Sequence, residues 1–413
     1  MERRLSGGAA TADLNLLDSL QFALWYRAAR IAARLRPPPV VRMREPARGA
    51  PAGISVVIPS RSGRTLLAAQ LPGMVRELPG DAEAIVVDNG SDDGTAQWLA
   101  AEWPRIAVEV SAEPLSFAAA VNCGIRRARY SHVCLLNNDM LIEPGFFAAL
   151  RSAFAEVPGL FCATAQIRFP AGVRREETGK AAMARSHRDD FPIRCDEPIA
   201  GEDLTWVLYG SGGCSLYDAA MLRALGGMDE AYGPAYVEDL DAGYRAWQRG
   251  WPTVFVAGAV VEHRHRATTS RYFSSLQLAR MLETNYLRFL ARAVADRTLF
   301  RQLWNEAIGR LWRLRDGALR EAAAIALEGG QWERGDYAEE RILALTCGDV
   351  AVFRGAGRTS APVIVCADRL EAPAQALLDC HCEVVVVRRG NRLAVEAATE
   401  WTEKKWRDKQ MGR

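Results

Sequence analysis

The chain has 413 residues, longer than one ordinary domain, and is 49% hydrophobic and 25% charged; such a composition suits a globular chain with a large core and excludes a disordered or fibrous one. A formal net charge of +2 makes no whole-molecule case for nucleic acid, so no nucleic-acid partner is expected. The nine cysteines are scattered without a CxxC pair, and Cys380-His381-Cys382 is too tight for a usual zinc half-site; they read as mostly buried thiols of a reducing compartment.

After Arg3 and Arg4 comes Gly7-Gly8-Ala9-Ala10 and not an apolar stretch, so no signal peptide is expected. No run reaches the length a membrane-spanning helix needs, and the site is expected to be cytoplasmic. Over residues 14–35, Leu16, Leu20, Leu24, Ile31 and Leu35 recur near helical spacing, with Arg27, Arg30, Arg34 and Arg36 beside them. That pattern predicts a basic amphipathic helix. Two readings stand: peripheral contact with the anionic inner face of a membrane, which Trp25 and Tyr26 suit, or packing on the main body or a partner chain. Pro37-Pro38-Pro39 ends the helix, and residues 40–52 read as a linker.

Regular structure starts at Ile54-Ser55-Val56-Val57-Ile58-Pro59, a β-branched run stopped by proline. A helix over 65–77, a strand over 84–91, a helix over 95–103, a strand over 106–110 and a helix over 117–128 follow. Val133-Cys134-Leu135-Leu136 is then a short buried strand that runs into Asn137-Asn138-Asp139. Strict alternation predicts an α/β fold, a mostly parallel sheet flanked by helices. No G-x-G-x-x-G follows the first strand, which excludes the dinucleotide-binding fingerprint. Ligands of such sheets sit at the carboxyl ends of strands. The oxygen-rich cluster ending in Asp139 can hold a hard divalent cation against a diphosphate; the same residues also suit an ordinary turn.

Beyond Pro144 the pattern predicts a helix to about residue 157, a strand over 161–169 and an irregular polar segment, 171–203, of the kind that faces substrate. Gly210-Ser211-Gly212-Gly213-Cys214 follows, then a helix over 218–225. A Gly/Pro-containing loop over 229–236 delivers Glu238 and Asp239 to the start of a further helix, with Leu240, Tyr244 and Trp247 on one face. A strand over 253–261 ends at Glu262-His263. Residues 270–327 read as helical, and 361–389 as strand, helix, strand: an extra layer, or the opening of a second α/β domain. The charged residues 403–413 read as a solvated helix end. The expected division is a basic helix and linker (1–52), the α/β domain (53–269), a helical extension (270–345) and a small α/β segment with a charged tail (346–413).

The order of these motifs resembles the family 2 glycosyltransferases of the GT-A fold, particularly the rhamnosyltransferase-like branch that builds bacterial surface polysaccharides. The resemblance covers roughly residues 54–269. It rests on Val56-Val57-Ile58-Pro59, on Val87-Asp88-Asn89-Gly90-Ser91-Asp92-Asp93-Gly94-Thr95, and on Phe117 with Asn122-Cys123-Gly124-Ile125. Leu135-Leu136-Asn137-Asn138-Asp139 with Glu143-Pro144-Gly145 resembles the DxD-type segment. Gly226-Gly227-Met228-Asp229-Glu230 and Glu238-Asp239-Leu240-Asp241 resemble the acceptor-side signature, and Val261-Glu262-His263 the closing strand. Ser60-Arg61-Ser62 departs from the usual Asn-Tyr-Asn-like turn, Asn137 replaces the first Asp of the DxD, and Ser116 and Ala119 stand where glycines are usual.

The resemblance implies an inverting, metal-dependent glycosyltransferase that uses a UDP- or dTDP-linked sugar and a glycan or lipid-linked acceptor. It assigns Mg2+ or Mn2+ to Asp139 and His263, and nucleotide contacts to Pro59, Asp88, Asn89, Asn122 and Asn138, with Asp88 accepting from the imide N–H of uracil or thymine. Asp239 is then the base that takes the acceptor's proton, with Glu238 orienting the site or exchanging roles with it. Plain structural roles compete: a turn cap for Asp88, a local backbone cap for Asn122, a satisfied polar side chain for His263, and the helix macrodipole for Asp239. Two other functions compete as well. One is a non-catalytic GT-A-like scaffold protein; the other is a sugar-phosphate nucleotidyltransferase, against which the first strand lacks a Gly-rich, Lys/Arg-bearing loop for a triphosphate.

Overall fold

The computed structural model describes residues 16–38, 40–41, 44–170, 175–176, 203–204, 206–264, 269–294 and 297–332, and the backbone of short strands between 346 and 397. The expected substrate-facing segment 171–203, apart from its ends, the helix over 370–378 and the charged tail lie outside the described residues.

After helix α1 (Leu16–Arg34), strand and helix alternate as the apolar runs require: β1 (Ile54–Ser60), α2 (Arg64–Glu77), β2 (Ala82–Asn89), α3 (Thr95–Glu102), β3 (Ala107–Ser111), α4 (Phe117–Arg127) and β4 (His132–Leu136). Then come β5 (Met140–Ile142), α5 (Phe146–Glu156), β6 (Cys162–Arg168), β7 (Cys214–Asp218), α6 (Ala219–Ala224), α7 (Glu238–Gln248) and β8 (Thr253–His263). These strands form one sheet in the order β3-β2-β1-β4-β7-β6-β8-β5, with two-residue strands Arg175–Glu176 beside β6 and Trp206–Val207 beside β8. The chain is a mixed α/β protein with helices on both faces of this sheet.

The parallel character is confined to β3-β2-β1-β4 and to the β6–β8 pair. Strand β7 enters antiparallel between β4 and β6, and β5 lies antiparallel on β8. Successive residues of β1 alternate between two cores, as strand pleating demands: Val56 and Ile58 pack with Leu67, Leu71 and Phe146, whereas Val57 packs with Val121, Ile125 and Tyr217. Helix α4 lies close on β1 because Gly124 faces Val57; a Cβ there would collide with the Val57 side chain.

A third core belongs to the helices. The last helices, α8 (Ser275–Ala293), α9 (Arg297–Leu314) and α10 (Ala322–Leu327), join α1 and α7 around Trp247, Phe289, Trp304 and Leu311. Ser274 starts α8 with a reciprocal cap, its hydroxyl accepting from Gln277 N while the Gln277 side chain accepts from Ser274 N. The N-terminal helix is therefore packed, through Ala29, Ala32 and Ala33, with Phe22, Trp25 and Tyr26 against the same core. From residue 346 on, short strands form a separate five-stranded sheet.

Gly124→Val tests the α4–β1 approach. Overpacking of this kind costs about 1–3 kcal/mol, so chemical denaturation should show a lower midpoint with an unchanged slope.

Candidate active site

The carboxyl ends of β1, β2 and β4 lie side by side, because Ser60 pairs with Asp88 in register and β4 runs parallel to β1 on the other side. Asp88 is buried, and its Oδ1 accepts from the backbone N–H of Ser91 at 3.1 Å. Past β4, Asn138 donates from Nδ2 to Ser60 Oγ at 2.8 Å, and Asp139 is buried at 7% exposure. The end of β8 is brought over the same turn: His263 pairs with Met140, Arg264 N donates to Asp139 O at 2.9 Å, and His263 Nε2 lies 3.6 Å from Asp139 Oδ2. Pro59 sits half-buried one residue before Ser60, opposite Val87.

The acceptor-side residues reach this edge through β7. Asn137 N donates to Gly213 O at 2.8 Å, and Gly212 N donates to Asp239 Oδ2 at 3.2 Å. The chain enters α7 through two left-handed, non-glycine residues, Tyr236 (φ 77°) and Val237 (φ 81°), a costly conformation that collects at functional sites. Asn285 of α8 holds that loop, its Nδ2 donating to the carbonyls of Tyr232, Ala235 and Tyr236 at 2.7, 2.9 and 3.1 Å. Of the acids in the first turns of α7, Asp241 is occupied structurally, accepting from Tyr232 Oη at 3.0 Å and Arg245 Nε at 2.7 Å. Asp239 remains half-buried at the helix start and Glu238 is buried.

The structure thus brings Asp88, Asn138, Asp139, His263 and Asp239 to one edge of the sheet. Two of the expected nucleotide contacts, Asn89 and Asn122, also bond within the protein. Asn89 exchanges two hydrogen bonds with the backbone of Leu115, and Asn122 clamps Met228 through both its N–H and its carbonyl while also donating to Glu230 Oε1. Both side chains hold loops in place, the backbone role that was the alternative for Asn122.

The description "Glycosyltransferase like family 2" matches residues 51–281, more than half of the chain. The chain belongs to the family 2 glycosyltransferases. Residues similar to an uncharacterized protein of Sinorhizobium fredii are 25% identical over 255 residues, 59% of this chain and 28% of that one. A second relative, an N-acetylglucosaminyl-diphospho-decaprenol L-rhamnosyltransferase of Mycobacterium tuberculosis, is 27% identical over 217 residues, 45% of this chain and 68% of that one. The chain therefore spans about a quarter to two thirds of these relatives' lengths. Among solved structures, a mannosyltransferase of Pyrobaculum calidifontis in complex with GDP-Man and Mn2+ aligns at TM-score 0.44 and 17% identity over 75% of this chain and 85% of that one.

In this family 2 chain the donors for a divalent cation are few. Among the described residues no group of three or more His, Cys, Asp and Glu side chains converges as a protein-only metal site. Asp139 and His263 supply one carboxylate and one imidazole, both nearly buried and 3.6 Å apart. That set fits Mg2+ or Mn2+ bound mainly by phosphate and water oxygens, the usual situation where a cation is shared with a diphosphate.

The adjacent acids of α7 differ in environment. Burial, reinforced by the neighbouring Asp239 and Asp241 carboxylates, pushes Glu238 up to about 8, and its Oε2 is buried without a hydrogen-bond partner among the described residues. The Glu238 carboxyl is therefore shifted toward its neutral form. The positioning residues that motif reading passed over are Asn285 and Gln70; the latter donates from Nε2 to Met140 O at 2.7 Å and to Asn137 O at 2.5 Å. Their signal was a polar residue on an otherwise apolar helix face, Gln70 between Leu67, Leu71 and Met74, and Asn285 between Leu278 and Phe289.

The shift at Glu238 has a defined sign. The unfolded chain loses this proton near the ordinary 4.5 and the folded chain keeps it to about 8, so the native state binds more protons in that window and loses stability as pH rises through it. Glu238→Gln should leave stability near that of the parent at pH 4.5 and exceed it at pH 8 by on the order of 3 kcal/mol, read from urea denaturation at both pH values.

Proposed function

We propose that the chain is an inverting, metal-dependent glycosyltransferase that moves a sugar from a UDP- or dTDP-linked donor to a hydroxyl of a glycan or lipid-linked acceptor in cell-surface polysaccharide synthesis. One observation carries this reading: hydrogen bonds and register link Asp88 through Ser60 and Asn138 to Asp139 and His263, and Asn137 through the Gly212-Gly213 turn to Asp239. A nucleotide, a diphosphate and an attacking alcohol thus have neighbouring places along one edge. A scaffold would not need this arrangement. The similarity to an N-acetylglucosaminyl-diphospho-decaprenol L-rhamnosyltransferase supports a lipid-linked acceptor.

The residues divide the work by chemistry. Asp88 accepts from the base's imide N–H with Oδ2, since Oδ1 is engaged by Ser91; Pro59 and Asn138 line the same end of the sheet. Asp139 and His263 hold the cation, which when bound supplies positive charge to the departing diphosphate. Asp239 takes the proton from the acceptor hydroxyl as its oxygen attacks the anomeric carbon from the face opposite the diphosphate. Glu238, buried beside it with its carboxyl shifted toward the neutral form, orients the site.

Isothermal titration with UDP and dTDP, with and without Mn2+, tests the donor half: Asp139→Ala should abolish the metal-stimulated part of binding, and unaltered binding would refute it. Asp239→Asn should keep nucleotide binding and lower transfer by roughly 10²–10⁴-fold, the usual worth of a general base, read by mass spectrometry over a panel of donors. Wild-type rates in that variant would remove Asp239 from the mechanism.

A further inference from the structure

Among the described residues, helix α1 is packed on one side only. Its inner face joins the helical core through Ala29, Ala32 and Ala33, with Phe22, Trp25 and Tyr26 against it. Its outer face carries Leu17, Leu20, Leu24, Ile31 and Leu35 at 74, 53, 65, 58 and 66% exposure. These positions fall on one stripe at helical spacing. Arg27 and Arg34 are exposed along the same stripe, with no ion-pair partner among the described residues, and Arg30 flanks it over the Tyr26 ring at 5.8 Å. Between Leu20 and Leu35 the sequence holds no acid.

We propose that this face seats the protein on an anionic lipid bilayer, the leucines entering the boundary of the acyl chains and the arginines meeting lipid phosphates. Helices with a leucine face and an arginine margin lie in the interface plane in this way. Charge decides between a bilayer and a second copy of the chain. Leu17, Leu24 and Ile31 recur every seven residues, so a self-paired seam is sterically available. In a parallel pair, however, Arg27 would meet Arg27 and Arg34 would meet Arg34; in an antiparallel pair both would be buried against leucine, with no acid to compensate. A bilayer surface neutralises them instead. No helix among the described residues is long and apolar enough to cross a membrane, so the contact is peripheral.

The face also has a definite relation to the candidate site. The inner side of α1 belongs to the same core as Val237, Leu240 and Tyr244, residues that flank Glu238 and Asp239 or lie on their helix. A bilayer on the outer side therefore holds α7 at a fixed distance from lipid.

Flotation of the full chain with vesicles of phosphatidylcholine alone, and of phosphatidylcholine with phosphatidylglycerol, tests the proposal without reference to transfer activity. The wild-type chain should float with the phosphatidylglycerol vesicles, stay below with phosphatidylcholine alone, and be released by high salt. The combined variant Leu20→Ser, Leu24→Ser, Ile31→Ser should partition at least tenfold less while keeping the wild-type circular dichroism, since all three side chains are exposed. Arg27→Gln with Arg34→Gln should lose the preference for phosphatidylglycerol. Three results would overturn the proposal: a wild-type chain that stays with the soluble fraction, a serine variant that floats as well as wild type, or light scattering that shows a lipid-free dimer abolished by the serine variant.

Discussion

The antiparallel entry of β7 beside β4 is the constraint on which the site depends. Cys214 faces Leu136 across the ladder, and the next bond outward, Asn137 N to Gly213 O, ties the turn after β4 to the turn before β7. A slip of one residue would reverse every side chain of β7 between the two cores, moving Leu216 and Tyr217 off the faces where each is fully buried. The register is thus held by burial at one end and by backbone hydrogen bonds at the other. Gly213 makes the approach possible, since a Cβ there would lie within 3 Å of the Asn137 carboxamide. Gln70 completes the turn from below by satisfying the Asn137 and Met140 carbonyls, a necessity for backbone groups cut off from water.

On the other side of that seam the protein tolerates strain. Tyr236 and Val237 both take positive φ, and Val is among the residues least suited to it. Such a pair costs of order 1–3 kcal/mol for each residue. It persists because Asn285 binds three carbonyls of the loop and Val237 is itself buried in the helical core. The result is an abrupt helix start that sets two acids in unlike surroundings: Asp239 accepts from the backbone at Gly212 and Leu240, whereas Glu238 Oε2 meets no donor among the described residues.

The fold was legible where strands are continuous apolar runs closed by turn residues. β1, β2 and β4 are of that kind, and the helices between them carry clear apolar faces, so the parallel half could be read from pattern alone. Strand β7 could not. Cys214-Ser215-Leu216-Tyr217 follows two glycines and shows only a short alternation, and nothing local says that it inserts between two distant strands. β5, three residues long, is below the length at which periodicity is visible. Within the candidate site, Asp88, Asp139, Asp239 and His263 stand out in the sequence because they sit in ordered motifs at strand and helix ends. Asn89 and Asn122 sit in the same motifs, yet their bonds go to Leu115 and Met228, a choice fixed by tertiary contacts far along the chain.

Helix α1 shows the same separation between what the fold requires and what it leaves over. Its inner face combines small residues, Ala29, Ala32 and Ala33, with the aromatics Phe22, Trp25 and Tyr26; the alanines let the helix approach closely, and the rings fill the space this leaves. The rings are also held by partners of their own, Phe22 edge-on to Trp25 at 4.9 Å and Tyr26 beside Trp312 at 5.7 Å. Folding therefore asks nothing of Leu20, Leu24 or Ile31, which lie on the far side. A helix that only had to pack on this body would carry polar residues there, because an unpaired apolar stripe adds no core and promotes association. The outer leucines are what packing among the described residues leaves unexplained, and the proposed lipid contact rests on that remainder.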